Sequence, residues 1–156
     1  MIDETSNVDR DRLIIPQLAG LYSFAAPLSY VFLRIVVALV IFPDGIEKLF
    51  LGGVERIATG NIAKLGLQFP FAWAWVVGCL EFFGAILLGL GLFTRPVAVA
   101  LLVMLTVIAG GIALPRGMLW TSNGVEVALL LALASIGFIF GGGGRYSVDR
   151  ALGREF

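Results

Sequence analysis

The 156 residues contain no histidine and a single cysteine, Cys79. The first absence removes the usual axial ligands of haem and the commonest transition-metal ligand. The second removes an intrachain disulfide, a CxxC redox pair and any iron–sulfur cluster held by this chain alone. Charge is scarce as well. Only 14% of the residues are charged, where a soluble domain carries about a quarter. The eleven basic and eleven acidic residues cancel, so no basic surface argues for nucleic acid. What fills the space is apolar: 59% of the chain, with a mean hydropathy of +0.97. The class is an integral membrane protein, with room for about four spans and no separate soluble domain.

The stretch Ala72 to Leu92 is the clearest span. Its 21 residues rise ~31 Å as a helix, about the thickness of a hydrocarbon core. One carboxylate, Glu81, sits near its middle. A charge there is costly unless it is neutral, paired or turned into a polar cavity between helices. Glu81 is therefore expected to face the bundle interior, within reach of the first or fourth span. Cys79, two residues away, reads as a small packing residue.

Four spans are expected at about 27–50, 72–93, 96–114 and 124–141. Residues 1–26 form a polar leader, with Asp3, Glu4, Asp9, Arg10, Asp11 and Arg12, followed by an interfacial segment. The leader lacks the basic start and short apolar run of a signal peptide, so it is expected to be retained. Pro27 suits a first helical position, and Pro43 is expected to kink or break the first span. Leu51 to Phe71 reads as a loop containing a short amphipathic helix. Thr94-Arg95-Pro96 reads as a tight connection that makes the second and third spans antiparallel neighbours. Thr121 or Asn123 is expected to cap the fourth span, with Glu126 in its first turn. Gly141 to Gly144 end that span, and residues 142–156 form a polar tail. Close helix packing is expected at Ala85-xxx-Gly89 and Ala128-xxx-Ala132. The fold class is thus an all-α membrane four-helix bundle with both termini on one side.

Arg10, Arg12, Arg95, Arg145, Arg150 and Arg154 fall on the side of the termini. Arg56, Lys64 and Arg116, with Lys48 at the rim, fall on the other. The positive-inside bias makes both termini cytoplasmic, in a bacterial-type inner membrane. Trp73, Trp75 and Trp120 then mark the outer interface, and Tyr30 and Tyr146 the inner one.

Depth places Asp44, Glu47 and Lys48 at the outer end of the first span, on one helical face at i, i+3 and i+4. With Glu81 and Glu126 they make a candidate buried polar cluster, and Arg34 approaches it from the cytoplasmic half. Three or four carboxylates in low dielectric cannot all stay charged. Two plainer readings stand beside this one: Glu47 and Lys48 snorkel to the headgroups, or Arg34 pairs with Glu81 as a strut. A metal site is not expected. Helical carboxylate metal centres add histidines in a Glu-x-x-His pattern, and none exists here.

Three features occur in order: Arg34 followed by GIEKLF (Gly45 to Phe50), Glu81 followed by GAILLGLGLFTRPVAVAL (Gly84 to Leu101), and Glu126 in a span ending GGGGRYSVD (Gly141 to Asp149). Together they resemble the DoxX family of small four-helix membrane proteins, over roughly Tyr30 to Arg150. The resemblance implies an association with quinone-linked redox systems, including a thiosulfate:quinone oxidoreductase, and with membrane complexes that handle oxidative stress. It puts Arg34, Lys48, Glu81, Arg95 and Glu126 at matching motif positions. Three functions stay open: an accessory subunit of a larger redox or energy-transducing complex, a quinone-reactive subunit using Glu81 and Arg34, or a small proton-coupled transporter. Quinone or lipid is the ligand such a bundle would take, and other membrane subunits or further copies of the chain are the partners.

Overall fold

The computed structural model describes residues 13–119 and 124–154. Every regular element among them is helical. Most of the charged leader, Trp120, and the capping candidates Thr121 and Asn123 lie outside the described residues. A short turn, Pro16–Leu18, leads into α1, Ala19–Phe50, and α2 follows at Gly53–Ile57. α2 continues as a π turn, Ala58–Ile62, and a 3-10 turn, Ala63–Leu65. Next come α3, Pro70–Leu90, and α4, Thr94–Val107, the latter extended by a π turn, Ile108–Ala113, and a 3-10 turn, Leu114–Arg116. α5, Val125–Gly141, and the one-turn α6, Val148–Ala151, complete the chain. α1, α3 and the extended α4 are long and apolar enough to cross a membrane, and α5 is a shorter apolar helix. The protein is a membrane protein.

The first helix differs from the sequence expectation at both prolines. It begins at Ala19, eight residues before Pro27, and runs on unbroken through Pro43. Hydrocarbon supplies no water to a freed backbone group. Ending a helix there exposes up to four carbonyls, whereas a proline inside it frees one. Continuing is the cheaper outcome. At 32 residues, ~48 Å of rise, α1 is longer than a hydrocarbon core is thick.

α3 stops where Gly91 takes a left-handed conformation, φ 71°, and Leu92 N–H donates back to the Leu87 carbonyl at 2.9 Å. That is the six-to-one bond of a glycine C-cap. The connection to α4 is therefore Gly91–Phe93, and Thr94, Arg95 and Pro96 belong to the first turn of α4. α1 packs closely on α3 because glycine and alanine meet at the crossing. A Cβ on Gly45 would lie 2.5 Å from the Phe82 backbone nitrogen, and one on Gly89 would touch Ala38 at 3.5 Å. Phe42 stacks on Phe82 beside this crossing, with ring centroids 5.2 Å apart. The main core joins α1, α3, α4 and α5 through Val37, Ile41, Leu88, Leu101, Leu105 and Phe138. Side chains such as Phe32, Leu39, Leu130, Leu133 and Phe140 point outward, the pattern expected of a surface bathed in lipid.

Two ends result. At one, Arg34 and Tyr30 of α1 meet the α3–α4 turn and the tail after α5. At the other, Lys48 and the start of α3 meet the α2 segment, the π-helical end of α4 and the start of α5.

Candidate functional site

α1 and α3 run antiparallel, so the end of α1 lies beside the middle of α3. This brings Lys48 to Glu81. Lys48 Nζ stands 2.5 Å from Glu81 Oε2, with the two side chains 13% and 6% exposed. Glu81 is eleven residues into α3, ~16 Å from its start. Glycine makes the approach possible on both helices. Gly45 lets the α1 backbone touch Glu81 and Phe82, and Gly78 leaves room for the stem of Lys48, whose Cβ would be 3.3 Å from an added methyl.

The pair forms the floor of a cavity of about 480 Å³. Its walls are largely aliphatic: Ile57 and Ile62 from the α2 segment, Val77 from α3, Leu105, Ile108 and Ile112 from α4, and Val127 and Leu131 from α5. Asp44, Glu47, Arg56, Asn61 and Arg116 stand around it. Two further polar contacts join these residues. Arg56 Nη2 is 2.8 Å from Glu47 Oε1, and Arg116 Nη2 donates to Asn61 Oδ1 at 2.8 Å. Both π-helical turns contribute wall residues, Asn61 and Ile62 from one, Ile108, Ile112 and Ala113 from the other. Single π turns of this kind occur often at functional sites, because they re-aim side chains without ending the helix.

Of the candidate polar cluster, the structure brings together Asp44, Glu47, Lys48 and Glu81. Glu126 is not among the residues that line the cavity. It is exposed on the first turn of α5, while its neighbours Gly124, Val127 and Ala128 line the cavity. A helix's first turn turns its residues through about 100° each, so one position of the turn faces away. Arg34 is elsewhere too. It is 2% exposed, at the opposite end of the bundle, where it donates to the carbonyls of Gly143, of Tyr146 at 2.9 Å and of Gly89 at 3.4 Å. Gly89 is eight residues beyond Glu81 along α3, ~12 Å away, so the Arg34–Glu81 strut does not form. Cys79 is half-buried. No group of three or more acidic or cysteine side chains is placed to hold a metal ion among the described residues.

The polar centre around Arg34 includes a residue that sequence reasoning passed over. Asp149, 2% exposed, accepts from Phe93 N at 2.8 Å and from both Thr94 N and Thr94 Oγ1 at 3.1 Å. The two amides stand at the start of α4, where N–H groups have no intrahelical acceptor, and a carboxylate there also meets the positive end of the helix dipole. The tail is held twice more, by Asp149 N donating to the Gly91 carbonyl at 3.0 Å and by Tyr30 Oη donating to the Gly142 carbonyl at 2.8 Å. Gly91 and Gly143 have no room for a side chain, since Arg34, Ser147 and Thr94 occupy it. This end is a clamp that ties α1, the α3–α4 turn and the tail. The cavity at the other end is where a ligand has space.

Comparison with known proteins agrees with the membrane class. The DoxX family profile matches residues 29–114, more than half of the chain. A protein of Mycobacterium tuberculosis described as an uncharacterized membrane protein is 28% identical over 150 residues, covering 90% of this chain and 91% of its own. A Haemophilus influenzae protein described as uncharacterized is 34% identical over 131 residues, covering 79% of this chain and 90% of its own. No solved structure matches the chain.

Proposed function

The chain belongs to the DoxX family, and from that premise we propose that it is a membrane subunit that holds a small amphipathic ligand of quinone type against Lys48 and Glu81, as partner to a larger redox assembly. One observation carries the ligand reading. A closely paired ammonium and carboxylate form the floor of a cavity whose walls are aliphatic. Such a site suits a flat apolar ring that carries a carbonyl or hydroxyl on its edge. Its volume also falls within the ~300–1,000 Å³ range of small-molecule sites.

The donor count fits a carbonyl. Lys48 has three N–H groups; one faces Glu81 and a second points at the Asp44 carbonyl, 3.5 Å away, leaving one for a ligand. Lys48 engages Glu81 Oε2, and a carboxylate has further acceptor positions, so one remains for a ligand. A ligand oxygen at the floor would meet a donor in its carbonyl state and an acceptor in its hydroxyl state. Glu81 and Lys48 are the chain's own groups for holding or passing a proton at that oxygen. The aliphatic walls exclude water from the ring. Bound quinone would supply two-electron chemistry, and the partner assembly the electrons, because a chain without histidine and with one cysteine offers few ligands for a redox metal.

The distribution of arginine and lysine supports placing the cavity end outside and the Arg34–Asp149 end inside, with both termini cytoplasmic in a bacterial-type inner membrane. The exposed Trp73 and Trp75 at the start of α3 fit a headgroup boundary at the cavity end.

The test is binding of a short-chain benzoquinone to the full chain in lipid nanodiscs. Saturable binding is expected, weakened at least fivefold by Glu81→Gln and also by Ile108→Trp, which fills the cavity without touching the ion pair. Equal affinity in all three proteins would contradict the site. The partner role is read by the mass of the assembly extracted gently from its native membrane. A species heavier than oligomers of this chain is expected, and only free chain would contradict that role.

A further inference from the structure

The cavity has one wall built unlike the rest. Residues 53–65 are three short helical pieces in series, α, π and 3-10. Glycines in the left-handed conformation flank it, Gly52 at φ 80° and Gly66 at φ 71°. A Cβ at either would meet nothing within 4 Å, so it is the backbone angle, not crowding, that requires glycine there. The segment is seated on α1 and α3: Val54, Ile57, Ala58 and Ile62 pack on Ala74 and Val77 as an apolar cluster that Val77 joins to the main core. Leu65 fits against Gly111 of the α4 π turn, where an added Cβ would lie 2.5 Å from Leu65 Cδ2. Two side-chain contacts fasten the rim, Arg56 to Glu47 and Arg116 to Asn61.

We propose that residues 53–65 are a hinged lid on the cavity, swinging about Gly52 and Gly66, with the Asn61–Arg116 hydrogen bond as its latch. Three features meet in this segment: it has a residue free in φ at each end, its apolar seat is centred apart from the main core, and it covers the wall residue Val77. A unit of that kind moves as a body once the seat and the two rim contacts release. The latch joins the lid to the 3-10 turn that follows the π turn of α4, so a ligand that reaches Arg116 or Asn61 would compete for the same donor and release it. The inference rests on the cavity being the binding site proposed above. Its test reads access to the cavity without any ligand, so the two readings can fail separately.

The experiment uses the full chain in nanodiscs, open to solvent on both faces, in a Cys79→Ala background. Val77→Cys is the reporter beneath the lid, and its rate of modification by a small charged methanethiosulfonate is measured. Asn61→Ala and Arg116→Ala are each expected to raise that rate about three- to tenfold, the ratio that loss of one hydrogen bond produces. Leu65→Ala, which loosens the seat without touching a polar contact, is expected to raise it as well. A second reporter, Ala98→Cys in the fully buried core, is expected to stay unreactive in every variant. Equal Val77→Cys rates in all variants would overturn the lid. So would Ala98→Cys rates that rise in step, since the whole bundle would then be opening.

Discussion

Removing Lys48 alone should cost far more than removing Lys48 and Glu81 together. In Lys48→Met the Glu81 carboxylate keeps its place in the bundle, 6% exposed, with its cation 2.5 Å away replaced by a thioether. Stranding one member of a buried pair costs ~3–5 kcal/mol. The cavity beside Glu81 admits some relaxation, which places the expected loss near ~3 kcal/mol. Glu81→Gln is milder, ~2 kcal/mol, because the flexible lysine stem can turn its ammonium to the Asp44 carbonyl. In the double variant no charge is left to strand, and the aliphatic walls accept methionine. A net cost of ~1 kcal/mol is expected in place of the additive ~5 kcal/mol. For a chain of this length 1 kcal/mol moves the melting midpoint by ~2–4 °C, so Lys48→Met alone should melt ~6–12 °C below the parent. The assay is thermal unfolding of the four proteins in one detergent, followed by two probes to check that the transition is cooperative. A double variant as unstable as the sum of the singles would refute the ion pair as a coupled buried unit.

Asp149→Ala removes three accepted hydrogen bonds at the start of α4 and is expected to cost ~3–5 kcal/mol, with hydrogen exchange accelerating at the Phe93 and Thr94 amides; unchanged protection there would exclude the cap. Gly45→Ala forces a methyl against the α3 backbone, where no side chain can yield, and should cost ~1–3 kcal/mol or more while parting Lys48 from Glu81. Gly137→Ala, on a face of α5 with nothing within 4 Å, should instead stabilise by ~0.5–1 kcal/mol in the same melting assay.

Much of this was legible in the sequence because the signals are local. An unbroken apolar run of span length is α3, and a solitary carboxylate within it needs company, which Lys48 supplies from α1. Spacing along one helix face also placed Asp44, Glu47 and Lys48 together. The rest depended on partners far apart in the chain. Asp149 caps a helix that begins 55 residues earlier, and nothing in RYSVD tells that carboxylate from any polar tail residue. Arg34 Nη1 and Nη2 donate to carbonyls of the glycine-rich segment, an acceptor set that composition does not display. Glu126 and Gly124 share a helix start, yet only the crossing of α5 over α4 decides which one faces the cavity. The first helix starts before Pro27 and is not broken at Pro43, because in hydrocarbon a continued helix leaves fewer groups unpaired.

A quinone carrying a photoreactive group, bound to the full chain in nanodiscs and located by mass spectrometry, tests the central claim most directly. The account predicts saturable adducts on Val77, Leu105 or Ile108, competed by unmodified quinone and lost in Ile108→Trp. Adducts confined to outward side chains such as Leu130 and Leu133, or labelling that never saturates, would contradict a quinone site at the Lys48–Glu81 floor.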